Sequence, residues 1–152
     1  MPQVSIIVGS ATDRPVIEDT LKTLTDLGVD AELVVASAHR NPEKVRTHVL
    51  EAPARGVEVF IAAAGGAAAL PGVVASFTTL PVIGVPIASS ELGGVDALHS
   101  IVQMPPGIPV ATVAVGAWGA RNAALLAAQI LGVKYATISS AVAEYRERLR
   151  QR

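Results

Sequence analysis

Ser37-Ala38-His39-Arg40-Asn41-Pro42 gathers a hydroxyl, an imidazole and a guanidinium within four residues. An imidazole gives and takes protons near neutral pH, so His39 is the candidate proton-handling group. A guanidinium grips phosphate or carboxylate with a two-pronged fork, a natural use of Arg40. The hexapeptide follows the apolar run 31–36 and precedes a helix-starting Asn-Pro pair. It therefore reads as a loop at the carboxyl end of a strand, the edge where open α/β sheets bind ligands. A helix cap beside a solvated Arg40 would use the same residues, and the loop alone leaves both readings open.

Two further strand-end turns carry possible chemistry. In Gly9-Ser10-Ala11-Thr12-Asp13, the glycine permits a tight turn, and Ser10 and Thr12 add hydroxyl donors. The helix that follows offers free N–H groups, which suits a phosphate or a ribose phosphate. Ser10 or Asp13 could equally be a plain cap, and Asp13 with Pro15 is a good helix start. In the stretch 63–72, Ala64, Gly65, Gly66, Ala67 and Leu70 have side chains that do almost no chemistry. Their use would be close backbone approach to a ligand, although tight helix–strand packing needs small residues too.

The rest of the inventory is sparse. His48 falls within a helix and reads as a surface residue. His99 falls in a short helix and reads as packing. There is no cysteine, which excludes disulfides, thiolate zinc sites and thiol nucleophiles. No His/Asp/Glu spacing suits a metal, and no P-loop or G-x-S-x-G elbow is present. No metal or cofactor is expected.

These residues need a scaffold. Val4–Val8 is a β-branched run of the kind buried on both faces in parallel sheets. A helix follows with Val16, Ile17, Thr20, Leu21, Leu24 and Leu27 on one face, stopped by Gly28. Further strands are read at 32–36, 58–63, 81–85 and 110–115. Helices are read at 42–52, 67–77 (bent or late-starting at Pro71-Gly72), 95–102, 117–131 and 135–151. Strands alternating with helices imply right-handed crossovers and a parallel sheet covered on both faces. Helix 117–131 is apolar nearly all round, so one side needs the sheet and the other a further cover, expected from another subunit.

The chain has 152 residues, 51% hydrophobic and 16% charged, which points to a single domain over 1–152 with ample core material. The sparse charge hints that other subunits cover some surface. A net charge of −1 gives no field to attract nucleic acid or an anionic membrane. No stretch reads as a membrane span or a leader peptide, and a cytoplasmic location is expected.

At its turns the chain resembles a known family, the class I N5-carboxyaminoimidazole ribonucleotide mutases (PurE). Gly9-Ser10 with Asp13, Ser37-Ala38-His39-Arg40 with Pro42, and Ala64-Gly65-Gly66-Ala67-Ala68 with Leu70-Pro71-Gly72 follow the family's motifs in order. Gly94 and Asp96, the run 100–105, and Gly116, Gly119-Ala120 and 122–127 extend the likeness over nearly the whole chain. The resemblance implies a three-layer αβα, flavodoxin-like fold around a five-stranded parallel sheet. It also implies a homo-octamer with active sites at subunit junctions, and a carboxyl transfer from N5 to C4 of an aminoimidazole ribonucleotide. No cofactor, metal or ATP enters that reaction. His39 would be the acid and base. Ser10, Asp13 and Arg40 would hold the ribose phosphate, helped by Thr12, Ser37 and Ala38. Gly65, Gly66 and Ala67, flanked by Ala64 and Leu70, would line the ring and carboxyl pocket.

The chain departs from the family at Ala69, where histidine is common, and at Ala63, Thr12, Arg14 and Trp118. Ala69 removes a polar group, so a carboxylase using free carbon dioxide, or a non-catalytic nucleotide-binding homologue, stays open beside the mutase.

Overall fold

The computed structural model describes residues 1–152. Its strands are β1 (Val4–Val8), β2 (Ala31–Val35), β3 (Val59–Gly65), β4 (Val82–Ile87) and β5 (Ala111–Thr112). Its helices are α1 (Arg14–Asp26), α2 (Pro42–Glu51), α3 (Leu70–Ser76), α4 (Val95–Val102), α5 (Ala117–Gly132) and α6 (Ala136–Arg150). All strand pairs are parallel, in the order β2-β1-β3-β4-β5. That order is flavodoxin-like, with its topological switch between β1 and β3.

The continuous apolar strands bury both faces, as their composition requires. Val4, Ile6 and Val8 with Ile61, Ile83 and Val85 meet residues of α1, α5 and α6, among them Ile17, Leu24, Ala123, Ala127 and Ile138. On the other face Ile7, Phe60 and Ala62 meet Val45 and Val49 of α2, Val74 of α3, and Ala97 and Ile101 of α4. Helix α5 finds its cover inside the chain: it packs between the sheet, α1 and α6, and Thr20 on α1 donates to the Ala120 carbonyl at 2.8 Å. Most of its apolar surface is thus buried within the chain, and Trp118 at its start stays exposed.

Two elements are shorter than their sequence suggests, for identifiable reasons. α3 starts at Leu70 rather than Ala67 because Gly66 (φ 60°) and Ala68 (φ 40°) are in the left-handed region, incompatible with a helix. β5 keeps only two residues of the apolar run 110–115. Val113 donates to Gly84 O at 3.1 Å, but the next ladder donor on β4 would be Pro86, which has no N–H. The strand pairing stops there. No helix is long and apolar enough to cross a membrane.

His48, read as a surface residue, sits inside a polar cluster behind the sheet. Its Nε2 lies 2.7 Å from the fully buried Ser5 Oγ and 3.4 Å from Glu32 Oε1. Arg55 donates to its Nδ1 at 3.4 Å and to Glu32 at 2.8 Å. An arginine donor at Nδ1 leaves the hydrogen on Nε2, the neutral imidazole. Burial holds His48 below its ordinary value of 6.5, with Glu32 working against the shift and Arg55 adding to it. Burial works the other way on Glu32, but hydrogen bonds from Arg55 and Ser5, and the Arg55 charge, hold its carboxyl below 4.5. His99, read as packed, is exposed on α4.

The sign of the His48 effect follows from linkage. On acidification the unfolded imidazole takes its proton first, so stability falls as pH drops below 6.5 toward the folded value. The Glu32 contribution is present above 4.5 and is lost only at lower pH. The urea midpoint of the wild type should fall between about pH 7 and about pH 5.5, and that of His48→Gln should fall less. Equal falls in both proteins would show that the imidazole is not responsible.

Candidate functional site

Three turns that leave the carboxyl ends of β1, β2 and β3 converge on one cleft of about 330 Å³. That is the size of a small-ligand pocket, and it lies at the switch point of the sheet. Ser10, Thr12, Asp13, Ser37, Ala38, His39, Arg40, Ala64, Gly65 and Leu70 all line it. Gly66 and Ala67 do not: the first is half-buried and the second exposed. In the single chain that wall of the cleft is made by Ala64, Gly65, Ala68 and Ala69, with Leu70.

The β1 turn is built around Ser10. Its Oγ accepts from the Thr12 N–H at 3.3 Å and lies 2.9 Å from Thr12 Oγ1, capping a short 3₁₀ turn over Ala11–Asp13. Asp13 makes no side-chain cap, contrary to its expected role at the start of α1. Its carboxyl is instead turned inward, 8% exposed, and lines the cleft. Burial pushes this carboxyl above the usual range, while a backbone hydrogen bond at Ser10 and the Arg40 charge pull it back.

The β2 turn is held by Ser37. Its carbonyl accepts from the Asn41 N–H at 2.9 Å, and its hydroxyl accepts from the Arg40 backbone N–H at 3.1 Å and from Arg40 Nε at 3.3 Å. Asn41 then caps α2 through Lys44 N–H at 3.2 Å. These bonds leave His39 at the apex of the turn, exposed at the cleft wall, with both ring nitrogens available to a ligand. Arg40 also spans to the neighbouring turn, where its Nη2 donates to the Gly9 carbonyl at 3.3 Å. The guanidinium is thereby fixed between two turns with further N–H groups free, as a phosphate clamp requires.

The β3 turn is short and strained. Ala68 N–H donates to Gly65 O at 3.1 Å, and Ala68 is the one non-glycine residue with positive φ. Such a residue costs about 1 kcal/mol or more and persists only where its surroundings hold it. The cost shapes a wall of backbone and methyl groups beside the polar half of the cleft. Ala69, the departure that removes a common family histidine, stands in that wall. No three His, Asp or Glu side chains cluster as metal ligands would.

Sequence reasoning passed over one lining side chain with chemistry, Ser89. A signal was available. Ser89 follows a strand's carboxyl end, as the other three turns do, but the sequence alone ends that strand at Val85 rather than Ile87.

Comparison with known proteins gives the following. A family model described as AIR carboxylase matches residues 3–152. The chain is 53% identical to the N5-carboxyaminoimidazole ribonucleotide mutase of Thermotoga maritima, over 99% of this chain and 87% of that protein. It is 55% identical to the protein of the same description from Pyrococcus abyssi, over 99% and 86%. Among solved structures, Treponema denticola PurE matches with a TM-score of 0.90 at 32% identity, covering 99% of this chain and 93% of that one.

Proposed function

Because the chain belongs to the AIR carboxylase family, we propose that the cleft at the ends of β1, β2 and β3 is its active site and that His39 is the catalytic acid and base. The chain has the isomerase role of its relatives in purine biosynthesis, moving a carboxyl group from N5 to C4 of the carboxyaminoimidazole ribonucleotide. The observation that carries the site assignment is the meeting of His39, the Ser10–Arg40 clamp and the Gly65 wall around one nucleotide-sized cleft.

The chemistry needs one proton carrier. The bond between N5 and the carboxyl carbon breaks, and its electron pair returns to N5. Protonated His39 delivers a proton there, and carbon dioxide is freed. C4, an electron-rich enamine carbon, then attacks that carbon dioxide to form the new carbon–carbon bond. C4 now carries a surplus proton, which neutral His39 removes, so the imidazole ends as it began. Atoms and charge balance with no electron carrier and no triphosphate. Ser10, Thr12 and Arg40 offer donors for the phosphate. The Asp13 carboxylate suits the ribose hydroxyls, since an anion facing the phosphate would be repelled.

Carbon dioxide must not escape between the two steps, and the cleft is open in the single chain. A homo-octamer with its sites at subunit junctions would close it. Exposed apolar residues support such an assembly: Leu92 just before α4, Val95 at its first position, and Trp118, which is 83% exposed. A cytoplasmic location fits the purine-biosynthetic role and the absence of cysteine.

The test supplies each substrate separately to a preparation sized by light scattering. N5-carboxyaminoimidazole ribonucleotide should be converted, and the uncarboxylated ribonucleotide with carbon dioxide should be a much poorer substrate. The reverse preference would make the chain a carboxylase. Binding with no turnover of either would favour the non-catalytic reading that Ala69 invites, and Ala69→His assayed alongside would show whether the missing imidazole is the cause.

A further inference from the structure

The cleft has two unlike halves. The turns after β1 and β2 supply every charged group and most of the hydroxyls. The wall made by the β3 turn, from Ala64 through Leu70, has no polar side chain at all. One hydroxyl faces this second half, that of Ser89.

Its placement is built by the sheet. Gly65 at the end of β3 pairs with Ile87 at the end of β4. Ser89 N–H then donates back to Ile87 O at 3.1 Å, folding the chain over the end of β3. A Cβ built on Gly65 would fall 1.8 Å from Ser89 Oγ, 3.0 Å from Ser89 Cβ and 3.1 Å from Ile87 O. A side chain at position 65 would have to displace the Ser89 hydroxyl and crowd the Ile87 carbonyl. The neighbouring serine shows the contrast. Ser90 Oγ donates to Asp96 at 2.5 Å and accepts from Leu92 N–H at 3.2 Å, so it is committed within its own loop. Ser89 Oγ has no hydrogen-bond partner within the chain, and Ser89 is exposed at the cleft, where a ligand can reach its hydroxyl.

We infer that Ser89 Oγ is the side-chain donor that holds the migrating carboxyl group, a role that rests on the reaction proposed above. The phosphate belongs at the opposite end, with Arg40, so the reacting ring and its carboxyl group lie along the β3 wall. That wall suits a flat ring and neutral carbon dioxide. A single hydroxyl there donates to a carboxylate oxygen before the N5–carbon bond breaks and again after the C4–carbon bond forms. Between the two steps it retains the free carbon dioxide beside C4. The bonds broken and formed are those already given, and Ser89 exchanges no proton.

The experiment follows two products of N5-carboxyaminoimidazole ribonucleotide, against an enzyme-free control: the 4-carboxy ribonucleotide, and the decarboxylated ribonucleotide left when carbon dioxide escapes. Because Ser89 donates to the substrate's charged carboxylate before any bond breaks, Ser89→Ala should raise KM for the carboxylated ribonucleotide by about tenfold or more. Affinity for the uncarboxylated ribonucleotide should stay within about twofold, because the phosphate clamp is untouched. The share of turnovers ending in the decarboxylated product should rise several-fold. Ser89→Thr, which keeps the hydroxyl, should restore most of the coupling. A Ser89→Ala enzyme with wild-type partition between the products overturns the role, and so does Ser89→Thr leaking as much as the alanine variant. If the wild type converts none of this substrate, the proposed reaction itself falls, and that outcome is distinct from a wild type that converts it with Ser89 dispensable.

Discussion

His39→Asn is expected to remove isomerisation almost entirely while leaving ribonucleotide binding in place. Asparagine keeps a polar, hydrogen-bonding side chain at the apex of the turn but carries no titratable proton. The turn does not depend on the imidazole: Ser37 holds it through Asn41 N–H and through the Arg40 backbone and side chain. Arg40 keeps its place between the two turns through the Gly9 carbonyl. A positioned acid–base group contributes about 10² to 10⁴ in rate, and here one imidazole serves both proton transfers. The loss in kcat should therefore lie toward the upper end of that range. The dissociation constant of an unreactive ribonucleotide, measured by calorimetry, should move by no more than about threefold. A variant with kcat within tenfold of wild type would remove His39 from the mechanism, whatever its binding.

Gly119→Ala is expected to be the most damaging small substitution for the fold. A Cβ there would lie 1.6 Å from the Ala114 carbonyl oxygen and 2.6 Å from its carbon. Both obstacles are backbone, so no rotamer change relieves them. The first turn of α5 would have to leave the β5–α5 connection, where Gly116 N–H bonds Pro86 O at 2.9 Å. Forcing a methyl group into a packed site costs about 1–3 kcal/mol, and more where the neighbour cannot move, so the loss here should be about 3 kcal/mol or greater. Against a total stability of about 5–15 kcal/mol, the urea midpoint should drop sharply or the chain should fail to fold. Gly9→Ala is the control, since a Cβ there meets nothing within 4 Å and its φ is not positive. It should be neutral or stabilising by up to about 1 kcal/mol. Equal midpoints for wild type and Gly119→Ala would mean that the connection before α5 is looser than its geometry indicates.

Much of the molecule was legible in the order of residues. The run Val4–Val8 reads as a strand buried on both faces and 58–63 as a further strand, and alternation with helices makes the sheet parallel. The loop 37–40 was legible because its bonds are local: Ser37 reaches only as far as Arg40 and Asn41, and Asn41 caps its own helix. Short-range caps, turn residues and apolar periods are interactions between near neighbours, so a single sequence displays them. From these, the placing of Ser10, His39 and Arg40 at one sheet edge followed.

Other features needed the tertiary structure, because they depend on which residues meet across the sheet. Asp13 resembles a helix cap in sequence, but Ser10 caps the preceding turn, and the Asp13 carboxyl faces the cleft. His48 looked solvated because its partners, Ser5, Glu32 and Arg55, come from three other segments. The apolar circumference of α5 suggested a second subunit, yet the sheet, the sequence-distant α1 and the adjacent α6 cover most of it, leaving Trp118 exposed at its start. The Ser89 hydroxyl over Gly65 was invisible because only the pairing of β3 with β4 brings those residues together. Local free energies select the elements. Register and packing between segments tens of residues apart select the faces, and the faces decide which side chains look into the cleft.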